Sequence, residues 1–224
     1  MTESVSADRY TLRLRAAAEP EFSAATGHRF ARELAGATIP AAVFRRYLVQ
    51  DYSFLEHFIR LIDAAIATAP EAAARQRYVD FRAAVTSDEN TYFLRSFEAL
   101  DIPESEWRDP ELLPVTAQFH AIMGEAARSG RYAPVLTVLV VTEWVYLEWA
   151  TAVRDTVPAQ FWFAEWIDIH ANDDFRSFVE WLIDELDRLE PRLSAAEREE
   201  VRDLFVRTAK LEVAFFDQAY GAEG

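Results

Sequence analysis

Residues 133–153 read APVLTVLVVTEWVYLEWATAV, a run in which Glu143 and Glu148 are the only charges. By length and composition alone this run could cross a bilayer. Two carboxylates at membrane depth would be costly, and no other segment of the chain resembles a span. The centre of a soluble bundle also requires a helix that is apolar all round. The run therefore reads as a buried central helix, with no membrane partner.

Working outward, the chain contains only six glycines, and its segments carry apolar residues at spacings of three and four, the period of a helix. No stretch alternates as a strand does. Helices are predicted near residues 6–18, 20–35, 40–68, 71–100, 110–129, 132–156, 159–170, 173–189 and 194–219. Pro40 suits a first helical turn, and Pro70 separates two long helices. Ser129-Gly130 closes one helix, Asn172-Asp173-Asp174 offers an N-cap, and Ser194 with Glu197 fits a capping box. With no repeat, low-complexity tract or linker, residues 1–224 are expected to form a single domain, an all-α multi-helix bundle with one main pocket.

Hydrophobic residues make up 51% of the chain and aromatic ones 13%, ample material for a large core. Cysteine is absent, which excludes disulfides, zinc–thiolate sites and a thiolate nucleophile. The 38 acidic and 23 basic residues give a formal charge of −15, which would repel phosphate backbones, so no nucleic-acid partner is expected. The opening MTESVSADRYTLRLRA has no apolar stretch or small-residue cleavage site, and a cytoplasmic protein is expected.

Desolvating a charge is expensive, so an acid inside an apolar stripe either has a buried partner or serves chemistry. In the third segment Asp51 falls within the stripe Phe44, Tyr47, Leu48, Leu55, Phe58 and Ile62. In the last, Glu212 continues the step through Val201, Leu204, Phe205, Thr208, Phe215 and Ala219. In the central run Glu143 shares a face with Tyr146, while Glu148 lies on another. The bland alternative pairs these acids with Arg29, Arg46 or Arg60. Without such partners, buried carboxyls would titrate high and suit general acid–base work. Tyr47, Tyr52, Phe54, Tyr146, Phe215 and Phe216 could wall a slot for a flat ring, although aromatics at helical spacing are more often ordinary core.

Four stretches carry a family resemblance: HRFARELAGATIPAAVFRRYLVQDYSFLEHF (28–58), SGRYAPVLTVLVVTEWVYLEWA (129–150), FAEWIDIHANDDFRSFVEWL (163–182) and KLEVAFFDQAYG (210–221). In order and content they resemble the TenA/THI-4 family of thiaminase II-like proteins. Gln50-Asp51 together with Glu212, Phe216, Ala219 and Tyr220 is the most specific part of the match.

The resemblance implies a haem-oxygenase-like fold, a homo-oligomer (tetramer or dimer), and no metal or organic cofactor. It implies hydrolysis of thiamin or, in salvage, of its aminomethyl- or formylaminomethyl-pyrimidine fragment. By position, Asp51 corresponds to the acid that grips the aminopyrimidine and Glu212 to the general acid–base residue, with Glu143 assisting. Tyr47, Phe54, Tyr146, Glu148 and Phe216 correspond to substrate-binding positions. The nucleophilic cysteine of the thiaminase II branch is matched by Thr142, and pocket tyrosines by Phe54, His170 and a position near Gly124. This chain therefore resembles the cysteine-lacking branch, associated with pyrimidine salvage.

Two rival readings stand beside it. A di-iron oxygenase on the same bundle would need histidines paired with acids at helical spacing, and none of His28, His57, His120 and His170 has one. A non-catalytic protein that binds a small ring is the other. His170 could face the pocket or cap helix carbonyls.

Overall fold

Pro40, with backbone angles of −59° and 135°, turns the chain directly into α4 (Ala41–Thr68), the longest helix. Its buried residues Val43, Phe44, Tyr47, Leu48, Asp51, Leu55, Phe58, Leu61, Ile62 and Ala65 follow the helical step predicted for this segment. The computed structural model describes residues 9–221, which are helical with no strand. The first residues of the helix expected at 6–18 lie outside that range, and α1 is Tyr10–Ala17.

The central run forms α9 (Tyr132–Val153), which packs against α2, α3, α4, α8, α10, α11 and α12. Its side chains are buried on every side, so its apolar surface is spent on other helices, as expected for a bundle centre. Burying one large apolar side chain is worth about 1.5–3 kcal/mol, which explains why this run tolerates so few polar residues. Around it stand α8 (Pro114–Arg128), α10 (Phe161–Ala171), α11 (Asp173–Leu189) and α12 (Ala195–Tyr220).

The end signals act as read. The Asn172 side chain accepts from the Phe175 amide at 2.8 Å. Ser194 and Glu197 close a full capping box at the start of α12. Gly130 follows α8 at φ +63°, a left-handed position that suits glycine.

Three expected elements differ. The helix predicted at 20–35 breaks at Gly27 into α2 (Glu21–Thr26) and α3 (Arg29–Ala35), because His28 caps α3 by accepting the Phe30 amide on Nδ1 at 3.1 Å. A short helix α7 (Glu104–Trp107) precedes α8, which starts at Pro114 and not at residue 110. There Gln50 pins the entering loop, donating to the Glu111 carbonyl at 3.1 Å and accepting from the Leu113 amide at 2.9 Å.

The third difference matters most. The helix expected at 71–100 is α5 (Ala72–Ala84), a π-turn at Val85–Glu89, and α6 (Asn90–Ala99). Hydroxyls around the turn bond back to the chain: Thr86 to the Arg82 carbonyl (2.8 Å), Ser87 to Ala83 (2.8 Å) and Thr91 to Ser87 (2.6 Å). Such side chains compete with the regular backbone ladder and favour a local bulge.

Candidate active site

A cavity of about 510 Å³ opens between α4, α5, the π-turn, α9, α10 and the start of α11. That volume suits a small ring compound. Its apolar walls include Phe54, Phe58, Phe81, Trp166 and Phe178, while Arg77, Asp80, Asp88 and Asp174 form an exposed rim.

Two of the acids expected to carry the chemistry reach this cavity. Asp51 (5% exposed) comes from α4 and Glu143 (7% exposed) from α9. Burial drives the Asp51 carboxyl up to about 7, partly offset by a hydrogen bond from Tyr47. Burial, with repulsion from Asp51, drives Glu143 up to about 8. Neither they nor Glu212 form an ion pair with a described residue. The arginines that could have neutralised them are engaged elsewhere: Arg29 lies over the Tyr220 ring, Arg46 donates to the Ala219 carbonyl and Arg60 pairs with Glu56. Carboxyls desolvated without a counter-ion hold their protons near neutrality and can serve as acids or bases there.

Glu212 is 2% exposed and does not line the cavity. Burial, then Glu143 and Asp51, raise its pKa well above the usual carboxyl range, and its charge in turn adds to the raised pKa of Tyr146. It is therefore buried close to Tyr146, Glu143 and Asp51 but outside the cavity lining. The Tyr146 hydroxyl lies 2.9 Å from that of Tyr47, and Tyr47 accepts the indole N–H of Trp166 at 3.1 Å.

His170 lines the cavity and also bonds to its own helix. Its Nδ1 lies 2.9 Å from the Trp166 carbonyl, which can only accept, so Nδ1 carries the proton and Nε2 is left as an acceptor. Burial lowers its pKa to about 4, so the ring is neutral. Both roles considered for this residue are thus filled at once. Thr142 also lines the cavity, but its hydroxyl donates to the Val138 (3.1 Å) and Leu139 (3.2 Å) carbonyls.

Several expected site residues lie elsewhere. Glu148 faces α1, where Arg15 holds it with two N–H groups, the Nη2–Oε2 contact being 2.9 Å. Five residues, about 1.4 turns of α9, separate the two glutamates, and only Glu143 has the cavity's phase. Tyr47 and Phe216 are core residues stacked behind the wall, 6.3 Å between ring centroids. Tyr52 packs on Phe93, Phe97 and Trp107, and Phe215 on Phe119; neither lines the cavity. Gly124 is also outside the lining. Among the described residues no group of three His, Asp or Glu side chains could hold a metal ion.

Of the lining carboxyls whose pKa is raised, one is absent from the expected set. Glu89, the last residue of the π-turn, lines the cavity and titrates well above the usual range, through burial and repulsion from Asp51 and Glu143. Its signal was present in the sequence. Counting back from the buried Tyr92, Phe93, Ser96 and Phe97 of α6, position 89 continues the same stripe.

Residues 15–222 match the model of the TENA/THI-4/PQQC family. The chain is similar to an aminopyrimidine aminohydrolase from Halalkalibacterium halodurans, with 23% identity over 91% of this chain and 92% of that protein. It is 25% identical to an aminopyrimidine aminohydrolase from Bacillus subtilis, over 88% of this chain and 84% of the relative. Among solved structures, a TenA homologue from Pyrococcus furiosus superposes with a TM-score of 0.84 at 22% identity, covering 94% of this chain and 100% of the other.

Proposed function

Because this chain belongs to the TENA/THI-4/PQQC family and resembles two proteins named aminopyrimidine aminohydrolase, we propose that it is a salvage hydrolase of the thiamin pyrimidine. The substrate is a 4-amino-pyrimidine carrying an aminomethyl or formylaminomethyl group, and the reaction needs no cysteine nucleophile. The observation that carries this reading is the pair Asp51 and Glu143, buried without a counter-ion and facing one aromatic-walled cavity.

For the free amine, the water oxygen bonds to the exocyclic methylene carbon as the carbon–nitrogen bond breaks. The electron pair leaves with nitrogen as ammonia, and the proton lost by water passes to a carboxylate. Asp51 accepts from the ring's exocyclic amine, and Phe54 and Trp166 bound the ring. Glu143, protonated near neutral pH, protonates the departing nitrogen. Glu212 is a proton reservoir behind it, linked through Tyr146. The same reading takes residues 1–224 as one domain and the protein as a cytoplasmic homo-oligomer, tetramer or dimer, which sedimentation would check.

The test is ammonia release with mass spectrometry of the products from aminomethyl-pyrimidine, its formyl derivative and thiamin, offered in parallel. Turnover of a pyrimidine that Glu212→Gln abolishes supports the hydrolase. No product from any of the three overturns it in favour of a non-catalytic ring-binding protein.

A further inference from the structure

Glu89 has no part in the chemistry just described, yet it shares the cavity wall with Asp51, Glu143 and His170. The π-turn that carries it is held by the Thr86 and Ser87 hydroxyls, so its place on the wall is built in. Glu143, on the same wall, is more than nine-tenths buried and has no cation beside it; the hydroxyl next to it, that of Thr142, also bonds to its own helix.

The charge inventory of this wall is one-sided. Asp51, Glu89 and Glu143 present carboxyls that become anionic once they give up a proton, and His170 presents Nε2, an acceptor, beside the Tyr146 hydroxyl. The cationic side chain that lines the cavity, Arg77, is exposed at the rim among Asp80, Asp88 and Asp174. A basic ligand that takes a proton from such a wall becomes a cation held among carboxylates. A free aminomethyl group does so as an ammonium, whether it arrives protonated or takes the proton from a carboxyl. An N-formyl group is neutral and not basic, so it can neither arrive as a cation nor take that proton, and it forgoes the ion pair.

We propose that Glu89 is a substrate-binding residue that, with Glu143, receives the aminomethyl group of the pyrimidine as an ammonium, making the site select the free amine over its N-formyl derivative. This rests on the aminopyrimidine reading of the cavity. It is tested by calorimetric titration, at pH 7.5, of the whole protein and of Glu89→Gln with three probes: the aminomethyl-pyrimidine, its N-formyl derivative and the neutral hydroxymethyl-pyrimidine.

The wild type is expected to bind the amine at least tenfold more tightly than either neutral probe. Glu89→Gln is expected to weaken amine binding about tenfold and neutral binding less than twofold, and Glu89→Asp to recover part of the loss. Equal wild-type affinity for amine and N-formyl probes overturns the proposal without recourse to any variant. So does a Glu89→Gln protein that loses all three probes alike or none. Titration needs no turnover, so tight amine binding without ammonia release would remove the hydrolase and leave this proposal standing. Turnover of amine and formyl substrates alike, untouched by Glu89→Gln, would do the reverse.

Discussion

The hydroxyl oxygens of Tyr47 and Tyr146 lie 2.9 Å apart, joining α4 to α9, and Tyr47 also accepts the Trp166 indole N–H from α10. The two tyrosines are not equivalent. Tyr146 lines the cavity, whereas Tyr47 is a core residue serving Tyr146, Trp166 and Asp51. Tyr47→Phe strands a buried indole donor, so it should cost about 1–3 kcal/mol of stability. Tyr146→Phe leaves Tyr47 paired with Trp166 and should cost about 1 kcal/mol or less, while lowering kcat/KM more than Tyr47→Phe does. Denaturant melts and steady-state rates on both variants check the split. Equal stability losses would mean that the hydroxyl pair, not the indole bond, holds the three helices.

Glu212→Gln should separate catalysis from stability. Losing a proton-handling group typically costs about 10²–10⁴-fold in rate. The amide is isosteric and needs no counter-charge, and the carboxyl it replaces is 2% exposed with its pKa forced up by burial and by Glu143 and Asp51. The melting temperature should therefore hold or rise as ammonia release falls. A melting temperature lowered by many degrees would assign Glu212 to the scaffold instead.

The carboxyl cluster also fixes a direction for stability against pH. A carboxyl with a raised folded pKa holds its proton in the native state after the unfolded chain has lost it. Native protein then binds more protons than unfolded, and stability falls as pH rises towards the folded value. Asp51, raised to about 7, and Glu143, raised to about 8, act in this sense, as do Glu89 and Glu212. His170, lowered to about 4, acts oppositely, but only below its unfolded value of 6.5. His57 and His120, also lowered by burial, act in the same sense as His170, so above the unfolded histidine value, between pH 6.5 and 8.5, the carboxyl effect dominates. Calorimetric melts should lose about 2 kcal/mol or more across that window, about 5 °C for a chain of this size. Glu143→Gln should flatten the slope, and a melting temperature that climbs with pH would refute the cluster's protonation.

What could be read from the residues follows from how strongly each position is dictated by period. Asp51 and Glu212 interrupt apolar stripes on helices with a polar face, so their inward phase was plain. On α9 every face is apolar, and Glu143 and Glu148 could not be sorted by period. Arg15, distant in sequence, decides between them. Glu89 continues a stripe too, but Thr86, Ser87, Asp88 and Asn90 around it make the segment read as a solvated face, and a π-turn leaves no mark in a count by three and four. The break at Gly27-His28 depends on an imidazole capping a helix, a role that Ser, Thr, Asp and Asn more often fill.

Glu148→Ala should mark the boundary of the site. Arg15, which grips Glu148, also lies over the rings of Phe22 (4.6 Å) and Trp144 (5.2 Å), so this ion pair clamps α1 onto the core. Both side chains are 28% exposed, and a pair of this kind is worth about 1 kcal/mol or less. The variant should melt slightly lower while its KM and kcat for the pyrimidine stay within about twofold. A tenfold loss of kcat with unchanged melting would place Glu148 in the chemistry after all.

Thr142→Cys tests what the cavity would do to a thiol. The position is on the wall, and the cysteine-bearing branch of the family, by resemblance, places its nucleophile there. A thiolate is stabilised by nearby cations or helix N-termini and disfavoured by burial and by carboxylates. Thr142 is buried mid-helix beside Glu143, on a wall with Asp51 and Glu89, and the nearest lining cation is at the rim. The new thiol should therefore titrate above the ordinary value of about 8.5 and alkylate with iodoacetamide slowly at pH 7.5. The substitution should confer no thiamin cleavage by itself, and Thr142→Cys combined with Glu143→Gln should react faster than Thr142→Cys alone. Rapid alkylation of the single variant at pH 7.5 would mean that the carboxyls stay protonated and donate to the thiolate rather than repel it. That result would leave the pH slope predicted for the cluster in place, since the slope also requires carboxyls that hold their protons near neutral pH.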